Sequence, residues 1–221
     1  MKILIDCRLL SSKPTGIDRY IREILKIFSE DLKIDYSITL LVNSSQREML
    51  SKISPKYQII FVKLSPFNPI HVFLLSLYFY LTNKNYDIFY WTIYSGVYFK
   101  KKKSTHIVMV HDLMYKLIPR YFSESLMINY VKKIILDIVV KYTLLNADVV
   151  LTNSKTSNID IYNFYNLKSI IIPLGISLKL NNETVHREIY DITSQYSFQY
   201  YLYVGNNRKQ KNLDFLIQSF L

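Results

Sequence analysis

Residues 2–32 read KILIDCRLLSSKPTGIDRYIREILKIFSEDL, and the order of patterns in that stretch decides the fold class. Lys2–Asp6 is a short apolar run that ends in a carboxylate. Residues 11–16 supply Ser, Pro, Thr and Gly, which is turn chemistry. Ile17, Ile21, Ile24, Leu25 and Phe28 then recur at helical spacing towards Leu32. Strand, turn and helix in that order open a parallel α/β sheet, because parallel neighbours need a crossover and a helix is the usual one.

The alternation continues along the chain. Strands are predicted at residues 37–42, 58–62, 86–91, 106–111, 149–152 and 169–172. Helices are predicted at 45–53 with Ser45 as N-cap, from Pro69 onwards, at 123–146 and at 154–165. In the long 123–146 pattern, Met127, Val131, Ile134, Ile135, Ile138, Tyr142 and Leu145 form one apolar face, the one expected to meet the core. Lys133, Asp137 and Lys141 lie on another, with Asp137 and Lys141 in the favourable i,i+4 order. This pattern predicts a Rossmann-like, doubly wound parallel sheet with helices on both faces.

Residues 177–197 are polar and aperiodic and read as a linker. Tyr200–Val204 reads as a strand, 205–210 as a polar turn, and Lys211 onwards as a helix with Leu213, Leu216, Ile217 and Phe220 on its apolar face. One strand and one helix cannot bury their own apolar sides. The sequence therefore predicts a first domain at 1–176, a linker at 177–197, and at 198–221 the first β-α unit of a second Rossmann-like domain, truncated there.

Composition narrows the function classes. The chain has 221 residues, 50% of them hydrophobic, with 4 Gly, 6 Pro and 1 Cys. That supports a packed core and excludes wholesale disorder, a disulfide framework and a Cys-rich zinc module. A single thiol suits a reducing cytosol. The net charge of +11 suits an anionic partner, and it equally suits a codon-biased composition rich in Lys, Ile, Asn and Tyr. The N-terminus is too short and too polar for a signal peptide. The apolar run Ile70–Leu81 falls short of the roughly 20 residues a spanning helix needs, and reads as a buried or interfacial helix.

Three stretches can carry chemistry. Thr15 and Gly16 sit at a strand-to-helix turn, where a glycine and a helix N-terminus can receive a phosphate, or simply make a turn. No G-x-G-x-x-G is present, so a nicotinamide site is not indicated. In VMVHDL, residues 108–113, His111 ends an apolar strand and can donate to a substrate oxygen, act as acid or base, or bond to backbone. Asp112 can orient it or cap the next segment. In VGNNRKQKN, residues 204–212, Gly205 precedes Arg208, Lys209 and Lys211, a phosphate-binding design or a solvated basic turn. His106 is a candidate cap for its strand, and His71 and His186 read as structural or surface residues.

Lys100–Lys103 reads as a solvated loop, or as a membrane or nucleic-acid contact. No D-x-D and no H-x-x-x-H occurs, so no metal site is expected. The G-x-S-x-G elbow of a Ser hydrolase is missing. The 20 Tyr are scattered through apolar patterns instead of interleaving with Arg, which argues against nucleic acid as partner.

Taken in order, MKILIDCRLL with TGIDRYI (15–21), VMVHDL, ADVVLTNSKTSNIDI (147–161), IIIPLGI (170–176) and YLYVGNNRKQKNLDFLIQSF (201–220) resemble the retaining glycosyltransferases of family 4. The closest flavour is the bacterial mannosyltransferase-like subgroup of lipopolysaccharide and exopolysaccharide assembly. The resemblance implies the GT-B fold, with residues 1–176 as the acceptor-side domain. It implies a nucleotide-sugar donor, a glycan or lipid-linked acceptor, and no cofactor or metal. It places Thr15 and Gly16 near the donor diphosphate or the acceptor, His111 of the His111–Asp112 pair near the transferred sugar, and Gly205, Arg208 and Lys211 on the donor phosphates. Asp18 stands where the family commonly has a glycine or another small residue.

The family's paired glutamates lie beyond residue 221. The chain alone is therefore expected to be weakly active or inactive, an incomplete transferase or, alternatively, a non-catalytic remnant or one subunit of a split enzyme that needs a partner chain. A cytoplasmic location is expected, with peripheral contact on an anionic inner membrane face.

Overall fold

The computed structural model describes residues 1–12, 15–30, 37–47, 57–82, 84–96, 98–175, 202–205 and 211–220. Seven parallel strands form one sheet: β1 (Lys2–Asp6), β2 (Ser37–Asn43), β3 (Gln58–Val62), β4 (Ile88–Trp91), β5 (Thr105–Val110), β6 (Val149–Thr152) and β7 (Ile170–Ile171). Their order is β3-β2-β1-β4-β5-β6-β7. The helices are α1 (Gly16–Glu30), α2 (Pro69–Leu81), α3 (Met114–Leu117), α4 (Leu126–Asn146), α5 (Lys155–Tyr165) and α6 (Leu213–Gln218). The protein is thus a Rossmann-like doubly wound α/β fold.

Both faces of β1 are covered, which is why KILID is continuously apolar. Ile3 and Ile5 pack with Ile38, Leu40 and Val42 of β2 against Ile21 and Leu25 of α1. Leu4 faces the other way, into a core with Leu75 and Phe79 of α2, Leu136, Val140 and Leu144 of α4, and Ile161 of α5. Each such side chain, fully buried, contributes about 1.5–3 kcal/mol.

Caps set the helix starts. Asn68 Oδ1 accepts from the Ile70 and His71 amides, with Pro69 in the first turn of α2. Ser154 Oγ accepts from the Ser157 amide at the start of α5, and Asn166 ends that helix in the left-handed conformation.

Several expectations are corrected. A 3₁₀ turn, Ser44–Gln46, capped by Asn43 and not by Ser45, leads into Arg47 in the helical conformation at the end of the described part of 45–53. Residues 48–53 lie outside the described set. The long helix begins at Leu126, not at Ser123. Its buried residues are Leu136, Val139, Val140, Thr143 and Leu144. The seven residues expected to face the core are all exposed. The helix carries two apolar stripes, and periodicity finds both without saying which one meets the sheet.

Asp137 does not pair with Lys141. Its Oδ1 takes Lys116 Nζ of α3 at 2.5 Å and accepts from the Tyr115 and Tyr165 hydroxyls at 3.1 and 2.6 Å. Burial pushes the Asp137 carboxyl up, but these three donors together hold it below its ordinary value. A tertiary ionic cluster tying α3, α4 and α5 replaces the expected surface pair.

The chain divides into two compact units, Met1–Leu174 and Gly175–Leu221. In the second, residues 202–204 are not in a strand, contrary to the expectation for 200–204, and residues 200 and 201 lie outside the described set. Leu202, Val204, Phe215, Leu216, Ile217 and Phe220 are exposed.

Candidate functional site at the carboxyl edge of the sheet

β2 and β3 extend from β1 on one side, and β4 to β7 on the other. The connections therefore diverge beyond the carboxyl ends of β1 and β4, the place where open α/β sheets bind ligands.

β1 delivers a buried ion pair to that edge. Asp6 Oδ1 accepts from Arg8 N at 3.1 Å and Arg8 Nε at 2.8 Å, and Oδ2 accepts from Arg8 Nη2 at 2.7 Å. Arg8 Nη2 also donates to the Ser95 carbonyl at 3.1 Å, which ties β1 to the loop after β4. Arg8 Nη1 is buried with no hydrogen-bond partner among the described residues. Thr92 Oγ1 donates to the Asp6 carbonyl at 2.6 Å, a second tie between the same strands. A buried pair of this kind fixes geometry more than it adds stability.

β5 delivers His111, which is partly buried. Its Nε2 lies 3.1 Å from the Thr92 carbonyl oxygen. A carbonyl only accepts, so Nε2 carries the proton, and in the neutral ring Nδ1 is the acceptor. Burial pushes the imidazole pKa below its ordinary value, against the opposing pull of the Thr92 carbonyl and Asp112. Of the roles open to it, His111 takes the backbone bond through Nε2; the neutral ring keeps an acceptor at Nδ1, which can take a hydrogen bond or a proton from a hydroxyl.

Tyr20 of α1 meets the His111 ring edge-on, with centroids 5.1 Å apart. Its hydroxyl hydrogen-bonds to that of Tyr90 on β4. Ser157 Oγ of α5 donates to the His111 carbonyl at 2.9 Å. Four elements therefore fix His111. Asp112 is exposed, and its Oδ1 accepts from the Met114 amide at 3.1 Å. That is the capping role of the two open to it.

Thr15 Oγ1 accepts from the Asp18 amide at 3.2 Å at the start of α1. A Cβ at Gly16 would meet no atom within 4 Å, so that flank of the helix N-terminus is open. Asp18 is buried beneath the turn, where Oδ1 accepts from the Ser11 amide at 2.9 Å and Oδ2 from Arg22 Nε at 2.9 Å. Its charge is paired with Arg22, so it clasps the turn and leaves the helix N-terminus to act on a ligand.

Gly205 and Lys211 are exposed residues of the second unit, and Arg208 lies outside the described residues. His106 is a core residue, not a strand cap. Trp91 Nε1 donates to its Nδ1 at 3.2 Å, its Nε2 lies 3.1 Å from Ser104 Oγ, and it stacks on Phe89. His71 is structural: its Nδ1 accepts from the Ser65 amide at 3.0 Å.

Arg8, Tyr20, Tyr90 and Thr92 are the site residues that sequence reasoning missed. Arg8 alone left a signal, a charge inside the apolar run IDCRLL. Among the described residues, no group of three or more His, Cys, Asp or Glu side chains is placed to hold a metal ion.

Fold and site together define a Rossmann-like domain with a polar, histidine-centred constellation at its switch point. Neither a scan against protein-family models nor a search of curated proteins returns a match for this chain.

Proposed function

We propose that this chain is the acceptor-side part of a family 4-like glycosyltransferase, moving a sugar from a nucleotide-sugar donor to a glycan or lipid-linked acceptor in cell-surface polysaccharide synthesis. The observation that carries the reading is His111, a neutral imidazole at the sheet's switch point. Its Nε2 is tied to Thr92, and its Nδ1 is left to accept from a sugar hydroxyl. The resemblance of residues 1–176 to the family adds to it. The open space beside Gly16 at the start of α1 leaves room for an anionic or hydroxylated ligand near the helix N-terminus. Gly205, Arg208 and Lys211 would meet the donor phosphates, where positive charge favours the departing diphosphate. The reaction needs no cofactor or metal.

Isothermal titration of the full chain against GDP-sugars, UDP-sugars and short saccharides tests the reading. At least one ligand should bind, and His111→Ala should weaken it about tenfold or more, the loss of one well-placed hydrogen bond to a neutral partner. Absence of binding across the panel, or binding indifferent to His111→Ala, would overturn it.

The second unit favours a further reading. Its exposed apolar residues, Leu202, Val204, Phe215 and Ile217, suit a second chain that covers them and completes the donor side. Donor binding that appears only when such a chain is added would select a two-subunit enzyme.

A further inference from the structure

We infer that the outer faces of α2 and α4 form one surface that docks on an anionic lipid bilayer. At about 100° per residue, Met127, Val131, Ile134, Ile135, Ile138, Tyr142 and Leu145 of α4 fall within an arc of roughly 100°, opposite the buried face. All seven are exposed, Met127 at 75% and Tyr142 at 51%. From Met127 to Leu145 the stripe runs about 27 Å along the helix axis. On α2, Ile70, Phe73, Leu74, Tyr78, Tyr80 and Leu81 are likewise exposed, while Val72, Leu75 and Phe79 fill the core. Apolar residues scattered singly over a surface need no explanation, but two helices that are apolar on both sides do.

The two stripes are joined. Tyr142 packs on Tyr98 at 5.9 Å, Tyr98 on Phe73 at 6.3 Å, Phe73 on Phe99 at 5.3 Å, and Phe99 on Tyr80 at 5.8 Å. An aromatic ladder therefore bridges α4 and α2 through residues 98 and 99.

The charges around this surface choose the occupant. Lys141 borders the α4 stripe on one edge and exposed Lys132 flanks the other. Lys84 lies over the Tyr78 ring at 5.8 Å, and the ladder runs directly into Lys100–Lys103, of which Lys102 and Lys103 are exposed. The core of a protein interface is depleted in lysine. At a membrane surface, lysines snorkel towards lipid phosphates while tyrosines sit at headgroup level. Among the described residues no helix is long and apolar enough to cross a membrane, and the far sides of α2 and α4 are committed to the sheet. A helix lying in the interface plane buries one side only, which is what both helices offer.

This inference stands apart from the transferase reading, and its test separates the two. The full chain is sedimented with vesicles of phosphatidylcholine, with and without phosphatidylglycerol. Binding should require the anionic lipid and weaken with salt. Lys102→Gln and Lys103→Gln should each weaken it about fivefold. The double variant Met127→Glu with Leu145→Glu should lose binding while keeping a melting temperature close to that of the wild type, since these are the two most exposed side chains of the stripe.

Equal binding to both vesicle types would overturn the proposal. So would failure to bind either, whether the chain is monomeric or self-associates through this face by light scattering. Vesicle binding without sugar binding would leave this surface standing and the transferase reading fallen; the reverse result would do the opposite.

Discussion

His106 shows how one residue's surroundings set its chemistry. Its ring is locked between Trp91 and Ser104 and is stacked on Phe89. Burial lowers its pKa from 6.5 to about 4, with Asp148 opposing and Lys100 adding. The unfolded chain binds this proton near pH 6.5, and the folded chain only near 4. The stability held by the neutral ring is whole above pH 6.5 and falls as the pH drops through that window. By pH 4 the loss reaches about 3 kcal/mol. NMR titration should place the midpoint near 4, and a midpoint near 6.5 would contradict the packing. Nothing in THIVMV announces this role, because a buried histidine is defined by partners distant in sequence. Gly96 is similar: a Cβ there would lie 2.2 Å from the Trp91 ring, a contact no local pattern reveals.

Elements were legible where one periodicity dominated. β1 is read to the residue, since both its neighbours and both its covering layers require the same apolar run. α5 is read from its pattern, and the structure adds its cap: Ser154 satisfies the Ser157 amide at 3.1 Å, and Ser157 in turn holds the His111 carbonyl. Ser154→Ala should cost about 1 kcal/mol of stability, measured by chemical denaturation. Unchanged stability would show that the cap contributes nothing. α4 was legible as a helix but not in its orientation, because two stripes compete and only tertiary packing chooses. Asp137 went the same way. Its i,i+4 partner was plain in the sequence, but Lys116 and two tyrosines from other elements outweigh it.

At the scale of the whole molecule, the doubly wound sheet follows from alternation, and the switch point follows from the strand order. His111 and Thr15–Gly16 were visible as strand-end and helix-start residues. The clasp that arranges them was not, because Arg8–Ser95, Thr92–Asp6 and Tyr20–His111 each join residues 86 or more positions apart in sequence. The outward stripe of α4 was visible only as an apolar face assigned to the core. The measurement that tests the central claim most directly is the imidazole ¹⁵N spectrum of His111 in the full chain, recorded while nucleotide-sugars and saccharides are added. The account predicts an Nε2-protonated neutral ring at pH 7, with an Nδ1 signal that moves when a sugar ligand binds. A ring protonated at both nitrogens, or an Nδ1 signal that stays fixed while a ligand binds, would contradict it.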